Sequence, residues 1–406
     1  MKIIIGNASK ELGESVVNRL DVQPSSAWIS KFTDGEVNVE VANDLYNQEV
    51  YIVQSLSPPV NDNLMELLLI IDAVNRLGAK RIVVIIPYYG YSRQDRIIKN
   101  NDMQSALNAK LVANLIQTAG ASSVAVIDLH SSQIEGFFDV PITNLNCFEA
   151  FVDCIHTENL AIVAPDVGAI GRARAFAKTL EEKYKIGLSD KIIVVDKYRE
   201  KAGTSQVMNI IGEVANKNCV IVDDIVDSGG TLCNAALALK NCGAKSVISC
   251  ITHGVLSGSA VEKISSSSLD KLVITDTILH KLEKTGKIKV VSVVDILTHF
   301  IQGEFANKRK ITITKEEMLK IVQLVRIKLS NDEIDYYSKE LAMLDWIHDT
   351  LLQVNTKGVS PMRYGSIDKD IHVRDDVINS QNIKEEILSN TKPEHGYFVV
   401  PKVIND

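Results

Sequence analysis

Residues 220–231 read VIVDDIVDSGGT, in which an apolar strand-like run passes through acidic residues and a glycine pair into a helix-like run that begins at Thr231. A glycine pair before a helix N-terminus lets backbone N–H groups converge on an anion, and the helix dipole adds attraction. Asp223 and Asp224 follow the strand, where open α/β sheets bind ligands, and carboxylates there can accept hydrogen bonds from paired hydroxyls or hold a divalent cation. A sugar phosphate with a cis-diol, such as ribose 5-phosphate, meets both demands.

The same local order, a helix-like run that ends near glycine and leads into a short Val/Ile-rich strand, occurs three times. The helix and strand pairs are 63–77 with 81–87, 109–118 with 123–129, and 231–241 with 246–251. Further strand candidates are 50–54, 161–164, 191–195 and 219–222. Helices that alternate with short buried strands predict parallel sheets with helices on both faces. Because the pattern occurs in both parts of the chain, we predict two related α/β halves, 1–145 and 146–305.

Composition narrows the function classes. The chain has 406 residues, a hydrophobic share of 46%, a charged share of 23% and a net charge of −7. This balance is typical of globular proteins and gives no broad basic surface for nucleic acid. The six cysteines contain no C-x-x-C pair, which favours free thiols in a reduced compartment. The N-terminus has too short an apolar run for a signal peptide, so we expect a cytoplasmic protein.

From Ile311 the pattern changes to amphipathic helices. Two capping-box signatures, Thr314 with Glu317 and Ser330 with Glu333, each open a helix-like run. A loop, a short helix at 383–388 and an extended YFVVPKVI follow. We therefore predict a third domain, 311–406, that consists of a small helical hairpin with an extended tail. So small a domain buries little surface alone and needs a partner to cover it.

The stretch VIVDDIVDSGGT resembles the ribose-phosphate binding loop of type I phosphoribosyltransferases and of ribose-phosphate diphosphokinases (PRPP synthetases). The resemblance implies type I phosphoribosyltransferase-type parallel-sheet domains and a loop for ribose 5-phosphate. The residues it implies for ribose 5-phosphate are Asp223, Asp224, Asp227, Ser228, Gly229, Gly230 and Thr231.

Two further stretches, FTDGE at 32–36 and YSRQDR at 91–96, are similar to the ATP-binding segments of PRPP synthetases. Alone, the first is no more than a turn and the second a solvated charge run; together and in this order they separate synthetases from the transferases. The residues implied for ATP are Phe32, Asp34, Gly35, Glu36, Arg93 and Gln94.

A magnesium site is predicted from Asp128-Leu129-His130. Residues two apart on a strand share one face, so Asp128 and His130 at the end of a strand can point at one metal. The motif stands where the family has its magnesium-binding "DLH", and Ala164-Pro165-Asp166 resembles the segment that supplies the second acid. The resemblance therefore implies Mg²⁺ held by His130, Asp166 and Asp128.

Lys197 and Arg199 follow a predicted strand and precede the sequence AGTSQV, which predicts a mobile loop. Composition alone favours a solvated basic loop, but the family's catalytic flexible loop starts with the same Lys-x-Arg. The resemblance implies attack of the C1 hydroxyl of ribose 5-phosphate on the β-phosphorus of ATP, which gives PRPP and AMP for nucleotide biosynthesis. Lys197 and Arg199 would stabilise the transition state, and the family implies a hexameric homo-oligomer.

Some residues depart from the family. Ser228 replaces the usual threonine, the stretch 97–110 (IIKNNDMQSALNAK) lacks the usual arginines and proline, and Gly254 follows His253 in place of proline. Regulation by phosphate or ADP is therefore left open. Two alternatives also stay open: a type I phosphoribosyltransferase, which would not need Lys197, Arg199 or an ATP site, and a catalytically inactive regulatory homologue, which should lack His130 or Lys197.

The last hundred residues resemble the C subunit of the tRNA-dependent Glu/Asp amidotransferase (GatC), from about Ile311 to the end. The resemblance implies a non-catalytic hairpin and tail that contact the A and B subunits of the amidotransferase. It leaves open whether Gln-tRNA, Asn-tRNA or both are served. It also leaves open whether the two parts form one native polypeptide.

Overall fold

The computed structural model describes residues 1–100, 103–189, 191–198, 207–280, 286–306, 315–325, 327–331, 333–334 and 336–338. Met1–Met343 form one compact unit. Arg199, Thr314, the helix predicted at 383–388 and the extended tail lie outside the described residues.

The strands and helices alternate along most of this unit. In chain order the strands are β1 (Lys2–Ile5), β2 (Ala27–Lys31), β3 (Val37–Val41), β4 (Glu49–Val53), β5 (Arg81–Ile86), β6 (Lys99–Asn100), β7 (Met103–Gln104), β8 (Ser123–Ile127), β9 (Ile142–Leu145), β10 (Leu160–Ala164), β11 (Ile193–Tyr198), β12 (Val207–Ile211), β13 (Asn218–Val226), β14 (Ser246–Gly254), β15 (Lys271–Thr275) and β16 (Ile288–Val291). The α-helices are α1 (Lys10–Leu20), α2 (Val60–Arg76), α3 (Asn108–Ala119), α4 (Phe148–Val152), α5 (Ile170–Tyr184), α6 (Gly230–Asn241), α7 (Ala260–Ser266), α8 (Val294–Ala306) and α9 (Lys315–Val325). Short 3₁₀ helices lie at Asn7–Ser9, Ser132–Phe137 and Val167–Ala169.

Two mostly parallel sheets form the fold. The first has the order β1-β4-β5-β8-β9 with every pair parallel. The second has the order β12-β11-β10-β13-β14-β15-β16 and is parallel except for the antiparallel pair β11–β12. The three predicted helix–glycine–strand units are confirmed as α2 with β5, α3 with β8 and α6 with β14. The predicted division at 1–145 and 146–305 stays a prediction.

Alternating strand residues build the core on both faces of each sheet. In the first sheet, Ile3 belongs to one buried cluster and its neighbour Ile4 to another. The cluster that contains Ile3 also contains Ile162 and Val220 of the second sheet, so one core runs through both halves. Full burial of each such side chain contributes roughly 1.5–3 kcal/mol, which favours the two halves packed together over the halves apart.

Two ion pairs connect α8 with residues of the first half. Arg81 of the first sheet pairs with Glu304 of α8 at 2.7 Å, with both side chains 25% exposed. Arg19 of α1 pairs with Asp295 at 3.0 Å in a more exposed position. Ion pairs of this kind contribute little, so the shared apolar core is the main connection.

The ends of the strands that carry site residues differ from the sequence prediction. The β8 strand ends at Ile127, one residue before Asp128, and Asp128 has a left-handed φ of 44°. The argument that Asp128 and His130 share one strand face was therefore wrong in its premise. The β13 strand continues through Val226, so Asp223 and Asp224 lie within it.

Lys197, predicted on a mobile loop, lies on β11, where it pairs with Met208 of β12. The reason is that β12, ten residues downstream, supplies a strand partner that extends β11 beyond its apolar residues.

After α8 the described residues include α9 and a helical segment that begins near Ser330. Met318, Val322 and Ile334 form a small buried cluster of their own. The capping box at Ser330 is confirmed: its backbone N–H and hydroxyl donate to Glu333 at 2.8 Å, and the Glu333 N–H donates to the Ser330 hydroxyl at 3.3 Å. No helix within the described part of the chain is long and apolar enough to cross a membrane.

Candidate active site

The main candidate site is a pocket of about 540 Å³ at the carboxyl ends of β10 and β13. These strands are neighbours, while β11 lies on the other side of β10, so the strand order reverses here. Open α/β sheets bind ligands at such a reversal because loops diverge and leave a crevice. The first sheet has no reversal among its strands, which are ordered as they occur in the chain. The crevice therefore belongs to the second sheet.

The loop predicted to bind phosphate lines this pocket. Asp227, Ser228, Gly229, Gly230 and Thr231 all border it. Gly229 caps α6 with a φ of 74°, and a Cβ there would lie 3.2 Å from Ile264. Glycine makes this left-handed turn without strain, and the first residues of α6 that follow it, Gly230 and Thr231, border the pocket.

The carboxylate of Asp227, next to the phosphate loop, is engaged by two neighbouring side chains. Ser257 donates a hydrogen bond to one carboxylate oxygen, and Arg93 contacts the other at 2.7 Å. The Ser257 hydrogen bond and the Arg93 charge lower the pKa of Asp227. The negative charge of Asp227 is thus paired within the protein, which reduces its repulsion of an anionic ligand.

The adjacent carboxylates Asp223 and Asp224 differ in position. The Asp223 side chain is 26% exposed and borders the pocket, whereas the Asp224 side chain is only 4% exposed. One oxygen of Asp224 lies 2.8 Å from His130 Nδ1, and the other lies 3.2 Å from Arg172 Nη1. Both residues border the pocket, and Asp224 lies deeper because its two oxygens contact His130 and Arg172. Asp223 is therefore the carboxylate that remains for ligand hydroxyls.

The charges around this pair set their protonation. Burial and the neighbouring Asp224 carboxylate raise the pKa of Asp223. Burial alone would also raise the pKa of Asp224, but the hydrogen bond from His130 and the charge of Arg172 lower it. The bond to Asp224 raises the pKa of His130. The lowered pKa keeps Asp224 ionised, so that it can accept the hydrogen bond from His130 Nδ1.

The three predicted magnesium ligands are not equally available. His130 and Asp166 border the pocket, and Asp166 also accepts a hydrogen bond from the Ala169 N–H at 3.1 Å. Asp128 is not among the residues that border it; Thr252 donates to one of its oxygens and Arg172 to the other at 3.2 Å. Among the described residues, no cluster of three or more His, Cys, Asp or Glu stands ready for a metal.

This donor set nevertheless fits magnesium. Mg²⁺ keeps several waters and binds through one or two protein groups together with substrate phosphates, so it does not need a cage of three side chains. His130, Asp166 and Asp223 are the pocket residues that fit such a role.

The residues predicted for ATP fall in two places. Arg93 and Gln94 border a second hollow of about 550 Å³, together with Tyr88 and Tyr91, and Arg93 borders both pockets. The other four, Phe32, Asp34, Gly35 and Glu36, lie at the β2–β3 hairpin turn and border neither pocket. That turn is closed by its own hydrogen bonds, including Glu36 N–H to Asp34 at 3.1 Å, and Phe32 is 56% exposed.

Lys197 is placed by its backbone alone, on β11 two strands from β13. Arg199 lies outside the described residues.

Arg172, which sequence reasoning missed, connects the acids of this site. It lies on α5, is 14% exposed, and contacts Asp128, Asp223 and Asp224. His253 was also missed as a contact residue: its Nε2 lies 3.0 Å from the Ile127 carbonyl of the first sheet. No sequence signal separates Arg172 from Arg174, since both lie in the helical run GRARAF. Only the fold shows which one faces the pocket.

Family models match three parts of the chain. Residues 1–120 match the N-terminal domain of ribose phosphate pyrophosphokinase, residues 143–282 the phosphoribosyl transferase domain, and residues 329–400 the Glu-tRNAGln amidotransferase C subunit.

Curated relatives and a solved structure agree with the first two matches. The ribose-phosphate pyrophosphokinase of Campylobacter jejuni is 47% identical over 310 residues, which is 76% of this chain and 96% of that protein. That of Agrobacterium fabrum is 46% identical over 314 residues, again 76% and 96%. The crystal structure of phosphoribosylpyrophosphate synthetase from Mycobacterium smegmatis matches with a TM-score of 0.68 at 32% identity, over 75% of this chain and 99% of that one. Because these relatives are matched over nearly their full length, the chain belongs to the ribose-phosphate pyrophosphokinase family, with a C-terminal part that matches the family of the amidotransferase C subunit.

Proposed function

We propose that the chain transfers the diphosphoryl group of ATP to the C1 hydroxyl of ribose 5-phosphate, forming PRPP and AMP. The observation that carries this proposal is that Arg93 borders both pockets. One pocket offers a phosphate loop and carboxylates for a sugar phosphate, and the other contains Gln94 and two tyrosines for a nucleotide. A transfer between two substrates needs both sites side by side.

The protein groups divide the work of binding. Backbone N–H groups at the start of α6 hold the 5-phosphate, and Asp223 accepts hydrogen bonds from the ribose hydroxyls. Arg93, which borders both pockets, balances the charge of the ATP phosphates close to the sugar. Lys197 and Arg199 would stabilise the charge that grows on the transferred group and on AMP, an effect worth several kcal/mol for donors fixed in place.

Mg²⁺ is the proposed cofactor, held through His130 and Asp166 with help from Asp223. When bound, it neutralises phosphate oxygens and makes the β-phosphorus of ATP a better electrophile. We do not assign Asp128 as a direct ligand, because both of its oxygens are engaged by Thr252 and Arg172.

The hairpin residues Phe32 and Asp34 to Glu36 are proposed to serve ATP from a neighbouring copy of the chain. They border neither pocket of their own chain, yet Phe32 is exposed and suited to contact a base. This arrangement requires a homo-oligomer, in line with the hexamer implied by the resemblance.

The test of the reaction is direct. Purified protein with MgCl₂, ATP and ribose 5-phosphate should release AMP and PRPP in equal amounts, measured by ion-exchange chromatography. Lys197→Ala should lower kcat by about 10²-fold or more, as loss of one fixed donor to a transition state does. Well-folded protein that forms no PRPP would exclude the proposal.

The same assay separates the alternatives. A phosphoribosyltransferase would consume PRPP with a nucleobase and ignore ATP. An inactive homologue would bind ATP without turnover.

For residues 311–406 we propose the role of the C subunit in a tRNA-dependent Glu/Asp amidotransferase. One support is the match at 329–400. The other is that the apolar side chains of Leu324 and Ile327 are 83% and 57% exposed, and a partner subunit would shield them from water. Co-expression with the A and B subunits of the same cell should give a complex by size-exclusion chromatography. Absence of association with both subunits would count against this role.

A further inference from the structure

Arg172 makes contacts with each of its guanidinium nitrogens. Nε lies 3.2 Å from Asp128 Oδ1, Nη2 lies 3.2 Å from the Leu129 carbonyl, and Nη1 lies 3.2 Å from Asp224 and 3.6 Å from Asp223. Asp128 and Leu129 follow β8 of the first sheet, whereas Asp223 and Asp224 belong to β13 of the second. One buried cation therefore joins acids from both halves at the edge of the pocket.

These contacts hold His130 from two directions. The Leu129 carbonyl, directly before His130 in the chain, is fixed by Nη2. The imidazole is fixed through Asp224, whose two oxygens are divided between Arg172 and His130 Nδ1. With Nδ1 engaged by Asp224, the ring nitrogen left to bind a ligand in the pocket is Nε2.

The geometry of arginine is needed for this arrangement. Its planar fork presents donors in several fixed directions, and these reach Asp128, the Leu129 carbonyl and Asp224. A lysine keeps the positive charge but has a single nitrogen at the end of a flexible chain. It can neutralise one or two of these acids, yet it cannot hold the Leu129 carbonyl, Asp128 and Asp224 together.

We propose that Arg172 is a positioning residue for the diphosphoryl transfer: it fixes the backbone and the ring of His130 so that Nε2 faces the metal and ATP phosphates. This inference rests on the proposed function. Arg172 borders the pocket, and the role assigned to it is exerted through Asp224, Asp128 and the Leu129 carbonyl.

The experiment compares Arg172→Lys with Arg174→Lys, a matched change on the exposed side of the same helix. Mn²⁺ serves as the probe for the metal and is titrated by electron paramagnetic resonance in the presence of an ATP analogue with a methylene group between its α- and β-phosphorus atoms. Loss of a group that orients a metal ligand weakens metal binding or activity about 10–100-fold. We expect Arg172→Lys to weaken Mn²⁺ binding and lower kcat within that range, with little change in KM for ribose 5-phosphate. Arg174→Lys should match the wild type.

A double-mutant cycle tests the route of the effect. In a protein that already carries Asp224→Asn, Arg172→Lys should cost much less than it does alone, because both changes break the same chain of contacts. Thermal unfolding of each variant identifies those that fold. Arg172→Lys retains the positive charge beside Asp128, Asp223 and Asp224, which favours folding of the variant.

Several results would overturn the inference. A folded Arg172→Lys protein with wild-type Mn²⁺ affinity would do so, whether or not kcat falls, and so would full additivity in the cycle. Absence of PRPP formation by the wild type would instead exclude the proposed function. The Mn²⁺ titration would still report whether Arg172 positions His130.

Discussion

His253 is predicted to make the stability of the folded chain depend on pH. Its side chain is fully enclosed, at 2% exposure, between the two sheets. Nε2 donates to the carbonyls of Ile127 and Asp128, at 3.0 and 3.2 Å, and Nδ1 accepts from the Thr277 hydroxyl at 2.9 Å. Burial lowers the pKa of His253, so the ring is neutral in the folded protein.

The sign and the size of the effect follow from proton linkage. Below pH of about 6.5 the unfolded chain binds a proton at this histidine and the folded chain does not, so the free energy of unfolding falls as the pH falls. The contribution is fully present above the unfolded pKa and is lost below it. Between pH 7.5 and pH 5.5 the loss reaches about 1.4 kcal/mol when the folded pKa lies below this range, since one pH unit corresponds to ~1.4 kcal/mol.

The measurement is urea unfolding of the wild type and His253→Gln at both pH values and one protein concentration, because oligomers unfold in a concentration-dependent way. Glutamine keeps an N–H for the carbonyls but binds no proton. The wild type should lose more than His253→Gln between the two pH values, by up to about 1.4 kcal/mol. His156→Gln, at an exposed position, controls for removal of a histidine. Equal losses in the wild type and His253→Gln would refute the reasoning.

Four further predictions follow from the site and the surface. Gly229→Ala should cost about 1–2 kcal/mol in urea unfolding, because the left-handed φ of 74° is unfavourable for alanine, and should raise KM for ribose 5-phosphate; unchanged values would contradict the role of this turn. Arg93→Gln breaks an ion pair that is 53% exposed at Arg93, so unfolding should change by less than about 1 kcal/mol while KM for ATP rises; the reverse pattern would make Arg93 a structural residue. Chelation by EDTA should abolish PRPP formation, and added MgCl₂ should restore it; activity in excess EDTA would exclude the metal. Ellman's reagent should modify the exposed thiol of Cys242 first in the native protein, and Cys242→Ser should remove that fast phase. The buried thiols of Cys147, Cys219 and Cys250 should react only on unfolding.

Local sequence patterns predicted the sheets but not the ends of strands. The units that contain β5, β8 and β14 followed from apolar runs and glycines within single stretches of chain. The extension of β11 through Lys197 depends on pairing with β12, and no local pattern reports a partner ten residues away. Early termination of β8 at Ile127 invalidated the alternation argument for Asp128.

The site was predicted in part for the same reason. The phosphate loop depends on glycines next to a helix start, and these are contiguous in sequence. The deeper burial of Asp224 depends on its contacts with His130 and Arg172, which lie far away in the chain and leave no local signal in the sequence. Arg172 depends on how α5 faces two other segments, so the sequence leaves it indistinguishable from Arg174. The hairpin with Phe32 was grouped with Arg93 by resemblance, but each chain holds the two in separate places.

The two sheets contribute differently to the pocket, and the strand order explains why. The first sheet lacks a reversal within its five strands, whereas the second reverses between β10 and β13 and so has a crevice. The first half instead supplies the wall of that crevice, through His130 and Arg93. Each wall residue contacts an acid of the second half, His130 through Asp224 and Arg93 through Asp227. The pocket therefore exists only while the two halves are packed together, and the contacts that join them are also the contacts that arrange its charged groups.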